Sequence, residues 1–232
     1  MASRLARATF VPPPVADMHR ALDNFEKFLY DDLAPLVHCA LAHAQFETIH
    51  PFLDGNGRIG RLLITFLLIH RNVLHRPLLY LSHYLKGHRA EYYDRLMAIR
   101  EDGDWEGWLR FFLRGVAETA DEATRTVHAI LELREQHRTL IQEHGLGMNA
   151  LRLLDALFQT PLVNATHVAE ALHVSFPTAG KLLEQMETLR IVREITGARR
   201  NRRYIYTSYL ALFEASDEPA EEAPIQTTEG DV

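Results

Sequence analysis

Cys39 is the only cysteine in the chain, so no internal disulfide can form, and the protein suits a reducing compartment. It lies in a helical apolar pattern, which reads as a buried thiol rather than a nucleophile. Long apolar runs are missing too. The longest, Leu62 to Ile69 with Thr65 inside it, falls far short of the roughly 20 residues that span a bilayer, so no membrane partner is expected. Positive charge is not in excess: the net charge of −6 argues against nonspecific nucleic-acid binding by the whole chain. No leader pattern is visible, since the first residues run straight to Pro12-Pro13-Pro14, and a cytoplasmic protein is expected. What is present is 232 residues, 47% of them hydrophobic, an ordinary globular composition with room for one large or two small domains.

The chemistry is concentrated in one stretch. Residues 50 to 61 read His-Pro-Phe-Leu-Asp-Gly-Asn-Gly-Arg-Ile-Gly-Arg. Gly55 and Gly57 allow backbone conformations closed to other residues, and successive N–H groups in such a turn converge into an anion-binding nest. An apolar run from Ile59 to Ile69 follows and reads as a helix, so the turn feeds a helix N-terminus, where free N–H groups and the dipole favour an anion. Arg58 and Arg61 are three apart and share a helical face, and their guanidinium forks suit phosphate. Asp54 precedes the nest and can hold Mg²⁺, which takes carboxylates together with substrate phosphates. His50, with an ordinary pKa of roughly 6.5, is the natural base near neutral pH. The other histidines are scattered and none is assigned a ligand role. His38 and His43 are five apart and do not stack on one helical face.

This stretch resembles the signature of the Fic family, His-Pro-Phe-x-Asp/Glu-Gly-Asn-Gly/Lys-Arg-x-x-Arg, and matches it at every specified position. The preceding Phe46-Glu47-Thr48-Ile49, the downstream Tyr92-Tyr93 and Gly103-Asp104-Trp105 look like the same family, and the likeness covers roughly residues 3 to 145. The resemblance implies transfer of AMP from ATP to a hydroxyl of a target protein, the chain itself included. In that reading His50 is the general base and Asp54 holds Mg²⁺ on the α- and β-phosphates. Gly55, Asn56 and Gly57 line the phosphate cradle, and Arg58 and Arg61 neutralise the leaving pyrophosphate. Tyr92 contacts the adenine side, with Tyr93 a second candidate. Alternatives for the same loop are removal of AMP, transfer of another nucleotide or group, and a DNA-binding regulator that senses nucleotide.

Two departures from the family bear on control. Its inhibitory pattern, Ser/Thr-x-x-x-Glu-Gly/Asn, has no match: only Glu106 and Glu229 precede glycine, and Asp102 and Ile225 stand four residues before them. Thr9 to Pro14 looks like the stretch just after the family's target-clamping hairpin, so a shortened form is expected. That form binds ATP without intrachain inhibition and holds targets poorly.

A mostly α fold is expected. The periodicity predicts helices over residues 19 to 30, 33 to 48, 59 to 70, 80 to 99 and 104 to 117, and a polar connector over 118 to 143. Asp31-Asp32 are cap candidates for the second helix, with Leu33, Val37, Leu41 and Ala44 recurring along it. The helix from 59 to 70 is apolar nearly all round and reads as fully buried. Trp105, Trp108, Phe111 and Phe112 read as packing residues.

The expected domains are 1 to 145, 146 to 213, and a disordered acidic tail over 214 to 232. In the second, helices over 150 to 158, 165 to 172 and 176 to 189 precede a β-hairpin formed by 191 to 195 and 204 to 206, an order that resembles a winged helix-turn-helix. Ser175 and Thr178 would begin its recognition helix, with Lys181 one turn later, and Arg199, Arg200, Arg202 and Arg203 crowd the wing. From Leu146 to Phe213 eight Lys/Arg face five Asp/Glu, a mild excess for a DNA binder, so docking or self-association stays open beside DNA.

Overall fold

Helix α1, Val15–Phe28, begins directly after Pro14, with Asp17 in its first turn and Lys27 in its last, each at the dipole end that suits its charge. The computed structural model describes residues 10–74, 81–198 and 200–214, and within them contains ten helices and one three-stranded sheet. The expected acidic tail falls almost wholly on 215–232, outside the described residues. Two compact units divide the chain at Ala123 and Thr124.

In the first unit α2, Pro35–Ile49, is the innermost element. It starts at Pro35, whose missing N–H costs nothing at a first helical position. Ala34 is its N-cap rather than Asp31 or Asp32. Its buried positions run nearly all round and include His38, Cys39, Ala40, His43, Ala44 and Phe46, while Leu33 is exposed. Two of its buried polar groups reach backbone carbonyls of neighbouring segments. The His38 Nε2 lies 2.9 Å from the Phe28 carbonyl, and the Cys39 thiol donates to the Ile64 carbonyl at 3.6 Å. Burial pushes the Cys39 thiol up to about 12, which fits the expected inert buried thiol.

Helix α3, Asn56–His70, packs on α2 through Gly60, where a Cβ would collide with Glu47 Oε1 and press on the His43 ring. The expected full burial of this helix does not hold. Gly60, Ile64, Leu67 and Leu68 are buried, but Ile59, Leu62, Phe66 and Ile69 face outward at alternating spacings of three and four. One apolar face is used and the other is open, so the run of apolar letters overstated the burial.

The expected helix from 80 to 99 is two, α4, Leu81–Gly87, and α5, Arg89–Asp102, broken at His88. Helix α6, Trp105–Glu143, merges the expected packing helix and connector into one. Trp108, Phe111 and Phe112 are fully buried, and Trp108 Nε1 donates to the Ala40 carbonyl at 2.9 Å. Trp105 is partly exposed, contrary to its expected packing role. Leu133, Leu140 and Ile141 of α6 join the second unit's core, which is why that unit begins before residue 146.

The second unit continues with α7, Met148–Leu157, β1, Leu162–Asn164, α8, Ala165–Leu172, and α9, Phe176–Thr188. It then forms β2, Arg193–Glu194, β3, Arg203–Ile205, and α10, Thr207–Glu214. The strand order is β1-β3-β2, all antiparallel, with Val163 and Glu194 both opposite Tyr204. The expected helices and hairpin are present; β1 and α10 are additions. Asn164 caps α8 by accepting from the His167 N–H, and Ser175 caps α9 by accepting from the Thr178 N–H.

Candidate functional site

The site begins where α2 stops. His50 is its C-cap at φ 50 and ψ 58, in the left-handed region that non-glycine residues rarely enter, with its N–H still donating to the Phe46 carbonyl at 3.0 Å. The chain then turns back on itself, and Asn56 braces the turn. Its side chain is buried, accepts from the Phe52 N–H at 2.9 Å and donates to the Phe52 carbonyl. The Asn56 side chain is therefore committed to holding the loop.

Gly55 sits at φ 86 as the N-cap of α3, a conformation that glycine adopts without steric cost. The first N–H groups of α3, at Asn56, Gly57 and Arg58, have no acceptor within the helix, because four such donors are left over at every helix start. Arg58 and Arg61 fold back over the glycines: a Cβ at Gly55 would lie 3.4 Å from Arg58 Nη2, and one at Gly57 would lie 3.2 Å from Arg61 Nη1. Two guanidiniums and a row of open N–H groups therefore converge on one turn. Asp54 is 93% exposed in its side chain, accepts from the Gly55 N–H at 2.7 Å and meets Arg58 Nη2 at 3.3 Å.

Beside this loop is a cavity of about 350 Å³ lined by Phe10, Glu47, His50, Tyr93, Leu96, Met97 and Arg100. That is within the usual size range of a small-ligand pocket. Tyr93, Leu96, Met97 and Arg100 come from one face of α5 at helical spacing.

The two candidate tyrosines part company. Tyr93 is half-exposed and faces this cavity, with the Arg89 guanidinium 5.7 Å from its ring centre. Tyr92 is only 4% exposed, and its hydroxyl lies 3.0 Å from His43 Nε2. Of this pair only Tyr93 faces the cavity; the expected nucleotide-side position of Tyr92 does not hold, because its ring is buried and its hydroxyl is taken by His43. His43 is held at both ring nitrogens, with Nδ1 3.0 Å from the Gly60 carbonyl. Burial is the main cause that pushes it down to about 4, so it is neutral near pH 7.

Glu47 and Arg100 carried no role in the sequence reading. Glu47 is 7% exposed, and its Oε1 has no hydrogen-bond partner. Burial pushes its carboxyl up, opposed by the charges of Arg61 and Arg100. Glu47 stands one helical turn before His50, a spacing visible in the sequence. Arg100 lies two turns after Tyr93, also visible, but nothing local shows that α5 crosses the end of α2. Among the described residues no three His, Cys, Asp or Glu cluster as a metal site. Asp54 places an exposed carboxylate beside the glycine turn, a hard oxygen of the kind Mg²⁺ takes.

Residues 2–68 match the family model for the Fic/DOC family. The protein adenylyltransferase Fic of Aedes aegypti is 36% identical over 115 residues, 48% of this chain and 22% of that protein. That of Drosophila mojavensis is 31% identical over 155 residues, 65% of this chain and 29% of that protein. The chain thus spans about a quarter of the length of these curated relatives. A solved Fic family protein from Desulfovibrio desulfuricans G20 shares the fold with a TM-score of 0.50 and 22% identity, over 86% of this chain and 59% of that one.

Proposed function

We propose that this chain, whose residues 2–68 match the Fic/DOC family model, is a Fic-type transferase that moves AMP from ATP to a Ser, Thr or Tyr hydroxyl of a target protein, itself included, and releases pyrophosphate. One observation carries the reading. A turn that gathers a helix N-terminus, two guanidiniums and an exposed carboxylate lies beside a cavity edged by a histidine.

The target oxygen attacks the α-phosphorus in line. Its proton passes to a ring nitrogen of His50, and the bond from the α-phosphorus to the bridging oxygen of the β-phosphate breaks. Arg58 and Arg61 take up the charge of the leaving β- and γ-phosphates, and the N–H groups from Asn56 to Arg58 hold the phosphate oxygens. Tyr93 meets the base. Asp54 would hold Mg²⁺, which when bound neutralises phosphate charge. The protein's contribution is positioning plus fixed charge, the usual division of labour in phosphoryl-type transfer. A cytoplasmic address belongs to the same reading, supported by a lone buried thiol.

For the second unit we infer a winged-helix docking or self-association module. Exposed Lys181, midway along α9, is followed by exposed Glu184, which lies 4.0 Å from the wing residue Arg202, so negative charge stands on this face as well. The exposure of Arg193, Arg200, Arg202 and Arg203 on the hairpin favours duplex DNA as the second reading. Fluorescence anisotropy with arbitrary duplex DNA separates the two, since binding that weakens steeply with salt would overturn docking.

The transfer itself is tested by incubating the full chain and a cell lysate with Mg²⁺ and either α- or γ-³²P-ATP. Protein labelled from the α-phosphate alone is expected. Label from the γ-phosphate, or none from either, would overturn the proposal.

A further inference from the structure

His50 closes α2 in a backbone conformation that persists in a non-glycine residue only where the surroundings hold it. The last carbonyls of a helix have no intrahelical partner, so the end of α2 needs donors from elsewhere. Arg100 of α5 supplies one to a carbonyl and a second to a side chain of the same turn. Its Nη2 donates to the Glu47 carbonyl at 3.1 Å and its Nε to the Thr48 hydroxyl at 3.3 Å. A guanidinium at a helix C-terminus also meets the negative end of the dipole, and its planar fork can grip two acceptors at once, as a lysine cannot.

The flat face of Arg100 is covered as well. Its guanidinium carbon lies 3.7 Å from the centre of the Phe10 ring, and Phe10 meets the His50 ring edge-on at 5.9 Å between centres. Burial works against the charge of Arg100, and Glu47 beside it offsets that cost. Three residues far apart in the sequence thus interlock at one point: Arg100 ties down the helix end, and Phe10 bridges Arg100 to His50. The bonds to α2 use two edges of the guanidinium and Phe10 covers a face, while Nη1 rests 3.5 Å from Met97 Sδ. That leaves Arg100 poorly placed to act as one more phosphate clamp.

We propose that Arg100, lidded by Phe10, is a positioning residue that fixes the end of α2 and thereby aims the His50 ring. This rests on reading His50 as the base of the transfer.

The full-length chain is tested as wild type, Arg100→Lys, Arg100→Met and Phe10→Leu. A misplacement of the base on the order of 1 Å lowers transfer about a hundredfold, so Arg100→Met should lose about that much and Arg100→Lys about tenfold. Affinity for Mg²⁺-ATP, measured by calorimetry, should stay within about threefold, because the lost contact acts on the transition state and not on binding. Exchange of the His50 amide, which bonds to Phe46, should quicken in both Arg100 variants. Phe10→Leu keeps both bonds to α2 and should lose transfer by a smaller factor, which decides the matter should Arg100→Met not fold. ATP affinity that fell in step with transfer would overturn the proposal by making Arg100 a nucleotide ligand. Unchanged transfer with unchanged exchange at His50 would overturn it outright. A wild-type chain that transferred no AMP would remove His50 as base, and exchange at His50 would still decide whether Arg100 holds it.

Discussion

Two turns in this chain are built around a carboxylate followed by a glycine and arginines, one in each unit, and they use the carboxylate in opposite ways. In the second unit Glu194 is spent on its own turn. It accepts from the Thr196 N–H at 2.8 Å, from the Gly197 N–H at 3.0 Å and from the Thr196 hydroxyl, and these bonds hold its carboxyl below the usual range. In the first unit Asp54 accepts one N–H, and its contact with Arg58 is long and fully wet. The brace that the first turn requires is supplied by Asn56, a neutral side chain, which leaves the acid free. A turn that closes itself is structural. A turn that hands its closure to another residue keeps its charges for a ligand.

The largest expected effect tests that contrast directly. Asp54→Asn should lower transfer by about a hundredfold and leave thermal stability unchanged, since an exposed ion pair contributes little. Glu194→Gln should do the reverse, lowering the melting temperature with transfer unchanged. Paired activity and melting assays check both, and equal behaviour of the two variants would erase the distinction.

Acid should separate the units as well. His43 has a folded value of about 4, below the ordinary 6.5, so the unfolded chain binds its proton first and the first unit loses stability as pH falls from about 6.5 to about 4. By linkage the loss is on the order of 3 kcal/mol. Glu194 is shifted down from 4.5, so its contribution is fully present above that value and is lost only as pH falls through its folded value. Hydrogen exchange of peptides from each unit between pH 7 and pH 4.5 should show the first loosening ahead of the second. A smaller effect should follow Asn56→Ala: the loss of two part-buried bonds costs about 1–3 kcal/mol, read as a shift in urea midpoint, with weaker ATP binding besides.

The geometry of the turn from Asp54 to Arg61 was legible because its parts are contiguous. Glycine freedom at Gly55, the arginine spacing and the following helix all act over short range. Burial was less legible. Both α2 and α3 are rich in apolar letters, yet α2 is the central one although it carries His38, His43 and Glu47. Those polar residues are tolerated because of partners such as Phe28, Gly60 and Tyr92, which no local pattern reveals. The same reason hid Phe10 and Arg100, which meet His50 only through the crossing of α5 with the end of α2. The pairing of Tyr92 with Tyr93 announced that one faces inward, but the period alone did not say which. The break at His88 and the strand Leu162–Asn164 were missed because both are short.

His50 bears the central claim, and the most direct measurement compares wild type with His50→Ala for two quantities in the same preparation. These are Mg²⁺-ATP affinity by calorimetry and AMP transfer from α-³²P-ATP. Affinity within about threefold and transfer lower by at least about a hundredfold are expected, because a general base acts only on the chemical step. Label that persists at the wild-type rate in the variant would contradict the account.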